Sequence, residues 1–163
     1  FRSADTLAQA ATAIAERPRR PHLAYGAAAL VAPDGRFRGI LHPLVFNKRN
    51  LNLFATRTVC HQAILVARHV APPYDTRFKL KAELDWYYRL VENTEREERL
   101  RMDLVVCDYR LGGTGERQWK RNELERIQVT WKNNRPLSFL ISAPFFVVPL
   151  LFRVKAAVGR MFS

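Results

Sequence analysis

Short apolar runs, each bounded by turn residues, alternate along this chain with stretches of helical periodicity. Residues 22–31 are small or apolar, and a Pro-Asp-Gly turn links them to a second short run at 36–41. Residues 62–66 and 102–109 form two further apolar runs. Runs of this length beside turn signals predict strands, of which the first, third and fourth are expected to be buried. Strands that alternate with helices predict an α/β domain.

Two stretches carry apolar residues at helical spacing, at 3–16 and 81–93, and 116–131 is predicted to be a long charged helix. In the first, Ser3 is expected to cap the helix. Its apolar face is predicted to consist of Leu7, Ala10, Ala11 and Ile14, and that of the second stretch of Leu84, Tyr87, Tyr88 and Val91. Between these elements, the Asn-rich segment 42–58 is predicted to be a loop, and 96–101 a solvated run of charges.

Charge and cysteine content indicate which partners and which cellular setting the chain has. The chain has 27 Lys and Arg against 15 Asp and Glu, a formal net charge of +12. Nucleic-acid binding is not predicted, because the basic residues are spread along the chain and no zinc finger, ribonucleoprotein motif or recognition helix is visible. Cys60 and Cys107 form no CxxC pair, which favours a reduced, intracellular setting; a single disulfide between them is the alternative.

The last 29 residues differ in character from the rest. Residues 137–152 are uncharged and mostly apolar, and residues 135–163 carry four basic side chains and no acidic one. The apolar run is shorter than the ~20 residues of a spanning helix. Contact with an anionic membrane surface is one interpretation, and packing on the domain or on a second subunit is the other. We therefore divide the chain into a domain at 1–134 and a basic, apolar tail at 135–163.

Three segments in a fixed order carry a resemblance to a known family. They read VCHQAI at 59–64, YDTRFK at 74–79 followed by AELDWYYRL at 82–90, and VCDYRLGGT at 106–114. Their order and spacing resemble the C-terminal, acceptor-side half of bacterial family 2 glycosyltransferases. These are inverting enzymes with the GT-A fold, and the resemblance covers 1–134.

The resemblance implies both a fold and an activity. The fold would be part of a GT-A-like mixed sheet flanked by helices. For the apolar tail, which the resemblance does not cover, we expect a helix. The activity would be transfer of a sugar, with inversion, from a nucleotide-sugar donor to a glycan or a lipid-linked acceptor. A cytoplasmic location is implied, with attachment at the inner face of the membrane if the tail contacts lipid.

Two carboxylates are candidates for the catalytic base, which removes the proton from the acceptor hydroxyl. Glu83 and Asp85 are two residues apart at the start of a helix, so only one can face a given site squarely. The resemblance aligns the usual base with Glu83, where Asp is commoner, and Asp85 remains the alternative. Both residues also suit the positive N-terminal end of a helix without any catalytic role.

The acceptor pocket is implied at a second set of residues. His61 and Gln62 open a predicted strand that, in the family, lies beside the acceptor, and the resemblance adds Trp86. Polar side chains at the mouth of an apolar strand suit sugar hydroxyls. A structural role for His61 is the alternative, and Cys60 with His61 does not make a metal site, because no second pair of ligands has suitable spacing.

Arg89, Arg110, Gly112 and Gly113 are the candidates for contact with the nucleotide phosphates. Glycine lets backbone approach a ligand closely, and Arg supplies bidentate contacts to phosphate. The Gly-Gly-Thr-Gly run is not a phosphate-loop pattern, so an ordinary turn is the alternative. Arg89 lies four residues after Asp85, and an ion pair within the helix is its alternative role.

The resemblance also implies a divalent metal, Mn²⁺ or Mg²⁺, held by a short aspartate motif in the family's donor-binding half. No Asp-Xaa-Asp occurs in these 163 residues, and the chain begins with Phe1. We therefore expect a piece of a longer protein, with most metal ligands outside it. A non-catalytic remnant or interaction domain that lacks the donor site is the alternative function, and the oligomeric state is open.

Overall fold

Strand β1 (Leu23–Val31) occupies the centre of a four-stranded mixed sheet. β4 (Arg99–Arg110) pairs with it in parallel along its whole length. β2 (Phe37–Leu41) and β3 (Ile64–Val66) pair antiparallel with the two halves of β1, so they share its other edge. The computed structural model describes residues 1–134.

Small residues in β1 bring β4 unusually close. A Cβ atom added to Gly26 would lie 2.5 Å from the carbonyl oxygen of Leu104 and 2.7 Å from Cγ2 of Val106. The pairing of the two strands also shifts register between Tyr25 and Ala27. Position 26 therefore requires glycine because β4 occupies the space that a side chain would need.

Helices cover both faces of the sheet. On one face lie α2 (Lys48–Phe54), α3 (Ala82–Asn93) and α5 (Trp119–Asn133), and on the other lies α1 (Thr6–Ala15). Because strand side chains alternate, β1 contributes to both cores. The first core includes Leu23, Tyr25, Phe46, Leu51, Leu84, Tyr87, Tyr88 and Val129. The second includes Ala10, Ala24, Ala28, Cys60, Leu100, Val106 and Cys107.

The predicted α/β class is confirmed, and so are the strands at 22–31 and 36–41 and the helix at 81–93. The predicted apolar face of that helix is also correct, since Leu84, Tyr87 and Tyr88 are fully buried and Val91 packs against the same core. The predicted strand at 102–109 exists but is longer, as it begins at Arg99.

The prediction of a loop at 42–58 was wrong, because α2 and a 3-10 turn (Ala55–Arg57) occupy much of it. The Asn47 side chain accepts a hydrogen bond from the Asn50 amide at 2.8 Å and so caps α2. Leu51 is fully buried beneath the helix. Asparagine is common both in turns and at helix N-caps. Here the helix forms because it buries Leu51 in the core.

The segment 96–101 is not a solvated run of charges. It forms a 3-10 turn (Arg96–Glu98) and the start of β4. The guanidinium of Arg99 donates to the backbone carbonyls of Phe46, Val91 and Thr94. Three carbonyl acceptors satisfy a partly buried cation, which explains how a charged residue opens a strand.

Smaller corrections concern the ends of elements. Ser3 does not cap α1 through its side chain, which instead bonds the Thr6 hydroxyl, and Leu7 is exposed rather than packed. Positions 61–63 form a 3-10 turn, so β3 begins only at Ile64, and its residues are partly rather than fully buried. The single helix predicted at 116–131 is divided into α4 (Thr114–Arg117) and α5.

The predicted tail at 135–163, with its apolar run and its proposed membrane or packing contacts, lies outside the described residues. Within residues 1–134, none of the helices has the length and apolar character needed to cross a bilayer.

Candidate functional site

The first turn of α3 holds the two candidate bases in different surroundings. Asp85 is completely buried, at 0% exposure, whereas Glu83 is only half-buried. The amphipathic pattern of α3 turns Leu84 and Tyr87 into the core, and Glu83 falls at the margin of that face. The two carboxylates therefore lie in different environments and point in different directions, as their spacing predicts.

Four hydrogen bonds and ion pairs surround the Asp85 carboxylate. Its Oδ2 accepts a hydrogen bond from Nε of Arg89 at 2.9 Å. Nη2 of the same guanidinium lies 2.8 Å from Oδ2 as an ion-pair contact. Its Oδ1 accepts from Nζ of Lys132 at 2.7 Å and from Nδ2 of Asn133 at 2.9 Å. Both oxygens are engaged by groups from α3 and α5, so Asp85 ties these two helices together.

Lys132 extends this network to the loop before α3. Its Nζ lies 2.9 Å from Oδ2 of Asp75, which also pairs with Arg77 at 2.7 Å. Hydrogen bonds from Arg77 and then from Lys132 hold the pKa of Asp75 well below its ordinary value. Burial opposes the charge of Lys132, but its bonds to Asp85 and Asp75 outweigh that effect and raise its pKa.

Glu83 lies outside the network. Within residues 1–134 the structure shows no ion pair or hydrogen bond to its carboxylate. Burial and then the negative charge of Glu83 raise the pKa of Tyr74. The pKa of Tyr87 is raised well above its usual value, mainly by burial and then by Cys60 and Glu83. Glu83 thus lies near the phenols of Tyr74 and Tyr87, and its carboxylate oxygens can still accept hydrogen bonds.

Tyr87 connects this end of α3 with the predicted acceptor edge. Its hydroxyl donates to the carbonyl of Val59 at 3.1 Å, immediately before the 3-10 turn His61–Ala63. The side chains of His61 and Gln62 are both exposed on that turn. Tyr87 therefore joins α3 to the segment that leads into the turn carrying His61.

Trp86 is less accessible than its predicted role in acceptor binding requires. Only 8% of the residue is exposed, and its Nε1 donates to the carbonyl of Pro72 at 2.8 Å. Tyr74 stacks over its ring, with centroids 5.4 Å apart and 13° between the planes. Direct contact between Trp86 and a ligand would be confined to the ring edge that Tyr74 leaves open.

Different elements hold the residues predicted to lie near the nucleotide. Arg89 forms an ion pair with Asp85 within α3, which is the alternative role that its four-residue spacing predicts. Arg110 is exposed at the end of β4, opposite Val31. Gly112 follows with φ of +82°, a conformation that favours glycine, and Gly113 is open to its surroundings. Arg110, Gly112 and Gly113 thus form one exposed chain reversal, and Arg89 is not in it.

The two cysteines meet across the second core, although 46 residues separate them. Both are free thiols and both are buried. A hydrogen bond from Cys107 lowers the pKa of Cys60 to about 7, despite burial, with smaller contributions from the amides of Gln62 and Ala63. The same pairing, together with burial, raises the pKa of Cys107.

This pairing predicts a titration. One thiolate should form with a midpoint near pH 7, and Cys107→Ala should move that midpoint upward toward the ~8.5 of an ordinary cysteine, since the thiolate loses its donor. Thiolate absorbance at 240 nm between pH 5 and 9 measures both values. A midpoint near 8.5 in the unsubstituted chain, or one that Cys107→Ala leaves in place, would contradict the pairing.

An open groove of about 520 Å³ runs between the loop before α3 and α5. Arg77, Phe78, Arg121 and Lys132 contribute to its lining. Each of the three cations already pairs with a carboxylate, which is Asp75 for Arg77, Glu125 for Arg121 and both Asp75 and Asp85 for Lys132. Their charge is largely compensated, which makes the groove a poor phosphate site.

The described part of the chain does not fit the divalent metal that the resemblance implies. Among residues 1–134, no group of three or more His, Cys, Asp or Glu side chains is placed to hold an ion. We therefore derive no catalytic step through a metal.

Some of these roles escaped the sequence interpretation. Lys132 and Asn133 lie 47 and 48 residues after Asp85, in a helix whose pattern is simply charged, so their contact with it has no local signal. The sequence analysis includes Tyr74 only as the first residue of the YDTRFK motif, and the motif does not predict that its ring stacks on Trp86.

Comparison with protein-family models, curated proteins and solved structures gives no match to this chain.

Proposed function

We propose that this chain forms the acceptor side of a glycosyltransferase that transfers a sugar from a nucleotide-sugar donor to a glycan or lipid-linked acceptor, with inversion. The observation that carries the proposal is the Glu83 carboxylate, which is half-buried and without an ion-pair partner in residues 1–134. The ordered motifs that resemble family 2 glycosyltransferases support it, and so does the α/β architecture.

Glu83 is the base in this proposal, and Asp85 is not. A base needs a free oxygen within hydrogen-bond reach of the proton that it removes. Both oxygens of Asp85 are already engaged by Arg89, Lys132 and Asn133. Asp85 instead fixes α3 against α5 and so positions Glu83, two residues earlier.

The reaction then follows a single displacement. Glu83 accepts the proton of the acceptor hydroxyl while that oxygen attacks the anomeric carbon of the donor sugar. A new C–O bond forms on one face of the carbon, and the bond to the nucleoside diphosphate breaks on the other, so the configuration inverts. The leaving group departs with the bonding electrons, and the proton remains on Glu83 until it is lost to water.

Two exposed segments are proposed to contact the donor and the acceptor. The exposed reversal formed by Arg110, Gly112 and Gly113 is the part of the chain best suited to approach the diphosphate. His61 and Gln62 are exposed on the turn that Val59 and Tyr87 anchor, where they suit acceptor hydroxyls. A divalent Mn²⁺ or Mg²⁺ enters the proposal through the resemblance alone. The cysteine pattern also favours a cytoplasmic location, and the basic, apolar sequence at 135–163 favours attachment at the inner membrane face.

The test is a transfer assay on the full gene product that carries this chain. UDP-, GDP- and dTDP-activated hexoses are supplied with Mn²⁺ or Mg²⁺ and with either free glycosides or polyprenyl-diphosphate-linked sugars. We expect release of nucleoside diphosphate that depends on the acceptor, and a product of inverted anomeric configuration by NMR. Glycoside binding without turnover of any donor would favour the non-catalytic interaction domain, and a product of retained configuration would contradict the mechanism.

A further inference from the structure

Tyr74 is an exposed aromatic side chain held in a fixed orientation. It is 48% exposed, yet one face of its ring stacks on Trp86 at 5.4 Å with only 13° between the planes. Trp86 is itself fixed, because its indole N–H donates to the Pro72 carbonyl at 2.8 Å. Pro72 and Pro73 precede Tyr74 and restrict the backbone that carries it.

The surroundings of this ring combine an apolar surface with an acceptor of hydrogen bonds. Glu83 lies on α3 one helical turn before Trp86, the residue on which Tyr74 stacks. Its carboxylate has no ion-pair partner in residues 1–134. Burial and then the charge of Glu83 raise the pKa of the Tyr74 phenol. A flat, open aromatic face attracts the C–H groups of a ligand, and a nearby carboxylate accepts hydrogen bonds from its hydroxyls. A pyranose ring offers both groups together.

We propose that Tyr74 is the stacking platform for the acceptor sugar, and that this acceptor is an uncharged pyranoside. The inference rests on the proposed function and deepens it by naming the residue and the class of acceptor. An uncharged ring is favoured because Glu83 would repel a carboxylate on the sugar. Stacking on Tyr74 would place a ring hydroxyl toward Glu83, where the proton is removed.

Sugar binding, measured apart from transfer, tests the proposal. The probes are methyl β-D-glucopyranoside and methyl β-D-glucuronide, which differ only at C6, where the first has a neutral hydroxymethyl group and the second a carboxylate. We expect the neutral glycoside to shift the indole N–H resonance of Trp86 in NMR spectra, with little change at Trp119 and Trp131, and to bind at least tenfold more tightly than the glucuronide. No shift at Trp86, or tighter binding of the glucuronide, would overturn the proposal.

Three variants separate stacking from other contributions. Tyr74→Phe keeps the ring and should bind within about twofold of the parent, whereas Tyr74→Ala should weaken binding about tenfold or more. Phe54→Ala is the matched control, because Phe54 is 47% exposed and is not part of the platform. Equal losses in Tyr74→Ala and Phe54→Ala would overturn the platform. If Tyr74→Ala does not fold, Tyr74→Leu replaces it, and the Trp86 resonance in the unsubstituted chain decides independently.

The outcome is distinguishable from that of the proposed function. If glycoside binding depends on Tyr74 but the protein turns over no donor, the stacking role of Tyr74 is supported and the transferase activity is contradicted. If the protein transfers sugar but Tyr74→Ala changes neither glycoside binding nor the KM for the acceptor, the transferase activity is supported and the stacking role of Tyr74 is contradicted.

Discussion

Replacement of Glu83 by Gln is expected to lower the rate of sugar transfer by about 10²–10⁴-fold, the range over which a positioned base contributes to catalysis. Gln has nearly the same size as Glu but cannot accept a proton at neutral pH. Since Glu83 is half-buried and has no ion pair within residues 1–134, the substitution should leave the melting temperature within a few degrees of the parent. The acceptor-dependent release of nucleoside diphosphate measures the rate.

Glu92→Gln is the matched control for this variant. Glu92 lies on the same helix, and its exposed carboxylate pairs with Lys48 at 2.7 Å. The same chemical change there should leave transfer unaltered, and Glu83→Asp should retain part of the activity because it keeps a carboxylate. If Glu83→Gln transferred sugar at the rate of Glu92→Gln, Glu83 would not be the base.

Asp85→Asn is expected to destabilise the fold by about 3 kcal/mol, the lower end of the cost of removing one partner from a buried ion pair. The lower end applies because Arg89 and Lys132 keep partial access to water. The amide removes the counter-charge of Arg89 and leaves Lys132 with Asp75 alone, and it points a donor at groups that are donors themselves. Urea denaturation with an unchanged m-value measures the loss.

Asp108→Asn provides the comparison. Asp108 pairs with Arg2 at 3.0 Å but is 53% exposed, so its loss should cost at most about 1 kcal/mol. At a temperature where both variants are folded, Asp108→Asn should transfer sugar at the parent rate. Asp85→Asn should be slower, because Glu83 is less well positioned, but should remain far more active than Glu83→Gln. A fully stable Asp85→Asn variant that transferred no sugar would show that Asp85, rather than Glu83, removes the proton.

The parts of the fold that sequence predicts well are those in which local pattern and burial agree. β1 is a run of small and apolar residues with a turn directly after it, and it is the central strand. In α3, apolar residues recur at helical spacing, and the helix lies on the core along that face. The apolar run and the turn that follows it are enough to predict β1, and the helical spacing of apolar residues is enough to predict α3.

Elsewhere the outcome depends on contacts between residues distant in sequence. Asn47 reads as a turn residue, but it caps α2 because Leu51 is buried beneath that helix. The carboxylates at 83 and 85 look alike on the sequence, and only the arrival of Lys132 from α5 distinguishes them. Spacing predicts that they point in different directions, but it does not indicate which one is enclosed.

The central claim is that an acceptor sugar lies on Tyr74 with a hydroxyl directed at Glu83. A crystal structure of the full gene product soaked with methyl β-D-glucopyranoside tests it most directly. The account predicts the sugar ring stacked on the outer face of Tyr74, with one hydroxyl oxygen about 2.6–3.2 Å from the Glu83 carboxylate. A glycoside bound in the groove beside Phe78 and Lys132, with no hydroxyl near Glu83, would contradict it.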